Sequence, residues 1–384
     1  MTEMCSSGSA RSSKSVVLPD GGSDVTYKHV HCIACQRIGK KNKGEYYCRD
    51  CRIGLCTQCA YEHTDNVRMN KHSVSVICQP VQVSHNQGPF PELTEIGTIK
   101  FDVAKCIRGS TFLSNGELAV TDFTESKILL YSADYRRTLI GKLLVPRQKA
   151  WEERPKPLSI TGTGDKQLAF TTNTGCVYML KVCSSMILKV ERVVPVINFD
   201  SNYGECFGIA FNSSDEKLYV SCFTDKEGSF IKVLGVDGSP CRDVTAKLTD
   251  LPTYLKIGLD KTKIYTANSD AVQVYRIQDF EKVEEYSALE AQTKDILTDK
   301  WGYLYTIAIE RRLLNHPGSI YRLDTKTGVT KVTSLIYRPT SVAYCPKSDD
   351  VAVTFEESRY IFFYKLKLRT FQKPFGNDLK PYKK

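Results

Sequence analysis

Residues 112–132 read FLSNGELAVTDFTESKILLYS. An apolar start, an Asn-Gly turn, a run closing on Val-Thr-Asp, a polar loop and a second apolar run describe strand, turn, strand, loop, strand. The unit returns as IAFNSSDEKLYVSCFTDKEGSFIKVLGV (209–236), IGLDKTKIYTANSDAVQVYRI (257–277) and ILTDKWGYLYTIAIERRLLNHPGSIYRLD (296–324). Looser copies are ITGTGDKQLAFTTNTGCVYMLKV (160–182) and VAYCPKSDDVAVTFEESRYIFFYKL (342–366). Six units at spacings of roughly 40–48 residues, each with room for about four strands, predict a six-bladed β-propeller. A pair of β-sandwiches is the alternative all-β reading, and it leaves the even spacing unexplained. A ring must also close, or it exposes two strand edges. The sixth unit runs out of strands near Leu366, and EIGTIKF (95–101) precedes the first unit with no other role. This segment is expected to pair into the last blade and clasp the ring.

The bulk composition fits a globular protein of more than one domain: 384 residues, 41% hydrophobic and 25% charged. No run of about 18 apolar residues occurs, so no membrane span is expected. Arg11 and Lys14 lack the apolar core of a signal peptide. Of 15 cysteines, nine are scattered singly, which points to a reducing compartment and a cytoplasmic location. The net charge of +10 is uneven. Residues 1–91 carry +4 and residues 365–384 carry +6, while the 273 residues between them hold 35 charges of each sign.

The densest chemistry lies upstream of the repeats. Cys32-x2-Cys35, Cys48-x2-Cys51 and Cys56-x2-Cys59 are followed by His63 and His72, eight soft ligands within 41 residues. Zinc takes four such ligands in a tetrahedron, so eight predict two zinc ions. A catalytic zinc needs an open position for water, and eight ligands for two ions leave none. A module of about 45 residues has little core, so metal supplies much of its folding free energy. His29 and His31 are read as ordinary surface residues. Spacing alone leaves open whether the ligand pairs are used sequentially or interleaved.

A RING finger ends in a Cys-x2-Cys pair, whereas this cluster ends in two histidines. It resembles the six-cysteine, two-histidine B-box of tripartite-motif proteins over YCRDCRIGLCTQCAYEHTDNVRMNKHSVSVI. A ZZ-type finger shares part of this pattern, but the four residues between Cys51 and Cys56 and the close His63 favour the B-box. The resemblance implies interleaved sites: Cys32, Cys35, Cys56 and Cys59 on a first zinc, Cys48, Cys51, His63 and His72 on a second. In the same family a B-box is often followed by an NHL propeller, and NGELAVTD (115–122) and DKWGYLYTI (299–307) are similar to that repeat. Full members also carry a RING and a coiled coil. Neither pattern occurs in these 384 residues, so ligase activity and a coiled-coil dimer are not expected.

The expected fold is mainly β, a two-zinc cross-brace B-box module followed by a six-bladed propeller. Its parts are a disordered Ser/Gly-rich tail (1–27), the zinc module (28–77), a linker (78–93), the propeller (94–370) and a basic tail (371–384). Loops between second and third strands, and between blades, share the face that usually meets ligands. Those loops hold 11 basic and 14 acidic side chains, which favours protein partners over RNA. Trp151, and the run Arg311, Arg312, Leu313 and Leu314, are the candidate partner contacts; packing between blades is the competing role. Asp122, Asn268 and Glu310 are candidate channel-metal ligands, although turn formation explains them better. The function expected is a non-enzymatic, zinc-binding interaction adaptor, in ubiquitin-linked or innate-immune pathways as the resemblance implies. A ligase subunit acting through the B-box and an RNA-binding propeller are the alternatives.

Overall fold

The computed structural model describes residues 90–369 apart from 135, 148, 150–151, 184–186, 198–203, 242–245, 249–253, 288–290, 311–316, 326–327 and 357. Upstream it describes 32–37, 46–48, 51, 53–56, 59, 63 and 74–76. The expected disordered tail, His29, His31, His72, the linker up to residue 89, Trp151, Arg311 to Leu314 and the basic tail lie outside the described residues.

Six four-stranded antiparallel sheets form the blades of the propeller. The first five are simple meanders, covering 107–144, 157–195, 204–247, 254–286 and 291–334. Each contains one of the units seen in the sequence. The two central strands of a blade are covered on both faces by neighbouring blades, so they read as continuous apolar runs rather than alternating ones. Leu118–Asp122 is buried at every position, whereas the outer strand Lys282–Tyr286 is largely exposed. The core is correspondingly a ring of six clusters, one in each gap between blades.

Hydroxyls on second strands add polar links across these gaps. Thr121 accepts from the Gly109 amide at 2.7 Å in its own blade and donates to the Leu158 carbonyl at 3.0 Å in the next. Thr171 repeats this, accepting from the Ser159 amide and donating to the Phe207 carbonyl. Gly109 lies so close to the next blade that a Cβ would sit 2.7 Å from the Leu158 carbonyl oxygen, which requires glycine.

The sixth blade takes its inner three strands from Pro339–Cys345, Asp350–Phe355 and Ser358–Arg369, and its outer strand from Phe90–Lys105. EIGTIKF therefore does clasp the ring, with Ile99 opposite Ile361 and Thr98 opposite Phe362. The strand is longer than that segment and begins inside the stretch read as linker, with Leu93 opposite Leu366 and Phe90 opposite Arg369. Burial of Leu93 in the cluster between blades five and six explains the extension. Pro91 is tolerated because this is an edge strand, where a missing amide donor costs little.

A buried ion pair crosses the closing gap. Arg137 of blade one binds Asp350 of blade six at 2.8 Å, each side chain about 9% exposed. The guanidinium lies over Phe112 at 5.3 Å and Phe363 at 5.1 Å and donates to the Gly116 carbonyl. Removing one partner of such a pair strands a buried charge. Lys365, also 2.8 Å from Asp350, limits the loss. Arg137→Ala is expected to destabilise the propeller by about 3 kcal/mol, read as a lower urea midpoint at unchanged slope.

Candidate metal centre

The ligand-bearing segments of the N-terminal module hang on a small three-stranded sheet. Tyr46–Cys48 pairs antiparallel with Ile53–Leu55 on one side and Val74–Val76 on the other. Cys48 and Cys51 lie at the turn of the first hairpin, and Leu55 leads directly into Cys56. A short helix, Ile33–Arg37, carries Cys35, with Cys32 just ahead of it. The Cys35 amide points at the Cys32 sulfur at 3.5 Å, the tight turn expected of a two-residue spacer.

This framework brings the first and third cysteine pairs together. The sulfurs of Cys32, Cys35, Cys56 and Cys59 all lie within 4.8 Å of one another. Cys35 is 3.7 Å from Cys56 and 3.6 Å from Cys59. The four can hold one metal ion, and they are interleaved along the chain around Cys48 and Cys51. Among the described residues no other group of three or more His, Cys, Asp or Glu side chains is close enough to share an ion. Of the second predicted set, Cys51 and His63 meet, Sγ to Nε2 at 3.6 Å, with His63 buried. The Cys48 side chain and His72 lie outside the described residues.

Four thiolates this close cannot coexist without a cation. Burial raises the Cys32 thiol, but amide donors at Cys56 and Cys35 and thiol donors at Cys59 and Cys35 outweigh it and hold it at about 7. Burial, first, pushes Cys56 and Cys59 up, and Cys59 rises further as a donor to Cys32, Cys35 and Cys56. Cys32 thus loses its proton more readily than Cys56 and Cys59.

The module rests on the propeller. Leu55, 1% exposed, packs with Ile336 of the connection between blades five and six, and Ala34, Cys51, Cys59 and Tyr337 lie against the pair. The other sequence candidates have local partners. Asp122 binds Lys105 at 2.6 Å and caps the Glu125 amide. Asn268 accepts from the amides of Asp270 and Ala271 in its turn. Glu310 pairs with Lys331 at 2.5 Å. Treating the propeller cysteines singly missed a juxtaposition: buried Cys206 and Cys222 face each other across adjacent strands with sulfurs 3.6 Å apart. The unit alignment, which begins at Ile209, holds Cys222 but not Cys206 and so gave no signal of it.

No family model matches the chain, and no curated protein matches it. Among solved structures, one chain of a crystal structure of the mitotic checkpoint complex aligns with TM-score 0.52 at 11% identity, over 76% of this chain and 98% of that one. A streptogramin B lyase structure aligns with TM-score 0.47 at 14% identity, over 73% of this chain and 98% of that one. The first likeness speaks to the propeller fold alone, and the second carries no argument.

Metal uptake must displace the protons held on Cys56 and Cys59. At pH 7.5 about two or more protons are expected per ion bound, measurable with an indicator dye in weak buffer. Protons compete for the same sulfurs, so affinity falls as pH falls. The fall steepens below about 7, where Cys32 also protonates.

Proposed function

We propose that this chain is a non-catalytic, zinc-binding adaptor in which the Cys-rich module and the propeller are separate binding surfaces. The clustered sulfurs carry this reading. Zinc–thiolate bonds of about 2.3 Å place the corners of a tetrahedron about 3.8 Å apart. The Cys35–Cys59 and Cys35–Cys56 separations of 3.6 and 3.7 Å fit that spacing. Cys32, Cys35, Cys56 and Cys59 would fill every position of a first zinc, leaving no site for a reactive water. Such an ion holds a surface in shape and stabilises a segment with little core of its own.

A second zinc on Cys48, Cys51, His63 and His72 completes the proposed cross-brace, and the approach of Cys51 to His63 supports it. On this reading the module is a B-box and the repeats an NHL-like ring, an adaptor of the tripartite-motif type linking protein partners in the cytoplasm, in ubiquitin-linked or innate-immune pathways. Trp151 and Arg311 to Leu314 remain the proposed propeller contacts.

Elemental analysis of the full chain should find about two zinc ions per molecule, falling to about one in Cys56→Ser. One ion in the native chain would contradict the cross-brace. Affinity purification of the same two chains should recover partners that depend on the module. Zinc-dependent chain formation in an auto-ubiquitylation assay would favour a ligase instead.

A further inference from the structure

A group of cations lies where the inner strands of the propeller converge. Blades one and four stand opposite each other in a six-membered ring. Yet the Tyr254 hydroxyl of blade four comes within 3.5 Å of the Arg108 carbonyl of blade one. Arg108 therefore lies near the ring axis. Its guanidinium is 4.0 Å from the Glu356 carboxylate, which is also 3.4 Å from Arg338. Phe123 joins a further cation to the group: Arg108 lies 5.4 Å and Lys156 lies 5.2 Å from its ring centroid.

Lys294, on the inner strand of blade five, has no ion pair among the described residues. Burial lowers its pKa; Arg108 and Arg338 lower it further, against the pull of Glu356. Arg108 and Arg338 thus share the Glu356 carboxylate, Lys294 lies in the same field, and Lys156 joins Arg108 through Phe123. The neighbouring Asp295 is engaged by other partners. Its oxygens accept from the Ser341 hydroxyl and from the amides of Val342 and Ile296, and burial raises its pKa. The Arg108 Nε is buried without a hydrogen-bond partner. Half-buried cations held this close are costly unless an anion joins them, and a guanidinium offers donors shaped for oxyanions.

We propose that Arg108, Lys156, Lys294 and Arg338 form an anion site at the ring axis that takes a doubly charged oxyanion, a phosphate monoester carried on a protein partner. Four cations grouped with the single Glu356 carboxylate suit a doubly negative group. An extended polyanion suits the site less, because the loops of that face, Lys156, Arg338 and Glu356 aside, carry 9 basic and 13 acidic side chains. A single group inserted at the axis avoids that rim. Only the source of the phosphate rests on the adaptor reading; binding of phosphate itself does not.

Calorimetry on the full chain at fixed ionic strength provides the test, with inorganic phosphate as probe. Saturable one-to-one binding is expected, weakened at least tenfold in Lys294→Gln and in Arg108→Gln. Glu356→Gln removes the competing carboxylate and should tighten binding several-fold, a gain that misfolding cannot imitate. Absence of saturable binding, or a Glu356→Gln chain that binds no better, would overturn the site. A phosphoserine peptide should compete with phosphate, and its unphosphorylated twin should not. Competition by single-stranded RNA but not by the phosphopeptide would overturn the protein source while leaving the zinc reading intact.

Discussion

Everything in the propeller hangs on a strand taken from the far end of the chain. Blades pack face to face, and none has a core of its own. Each apolar cluster is shared by two neighbours. Burial of the six gaps is therefore mutual, and the ring is stable only when the sixth gap shuts. Phe90–Lys105 shuts it by pairing along Ser358–Arg369, supplying Ile99 and Phe101 to the cluster between blades six and one. The Arg137–Asp350 pair crosses the same gap, clamped by Phe112 and Phe363. Such a pair adds specificity of registration as well as attraction, since any slip strands two buried charges.

The closing strand is also the physical link to the metal module upstream. Leu55 leads into Cys56 and seats on Ile336, and Tyr337 beside it is followed by Arg338 of the cationic cluster. Cysteine cluster, blade connection and cationic cluster thus follow closely on one another. A module that folds through its ion would then have its position on the propeller set by that ion. The two proposed binding surfaces would then be neighbours rather than beads on a string.

The strand rhythm made the propeller legible, because a six-fold repeat of turn chemistry and apolar runs survives large sequence variation. The clasp was legible through a shortage, one blade lacking a strand and one strand lacking a blade. Its length was not, since Pro89 and Pro91 read as linker and an edge strand tolerates Pro91. Cysteine spacing suggested a metal site but could not choose between sequential and interleaved use; the hairpin of Tyr46–Cys48 with Ile53–Leu55 is part of the framework that brings the first and third pairs together. The ring-axis cations were invisible for a different reason. Arg108, Lys294 and Arg338 come from three blades and meet only through closure, and a tally of loop charges leaves out the inner strands that carry Arg108 and Lys294. Arg137 and Asp350 likewise look like surface charges until 213 residues of chain fold them together.

Cooperative closure is tested most directly by amide hydrogen exchange, comparing the full chain with one beginning at Cys106 and so lacking the clasp. The account predicts that protection is lost around the whole ring, in blades two to four as much as in blades six and one. Loss confined to blades six and one, with full protection kept in the others, would contradict it.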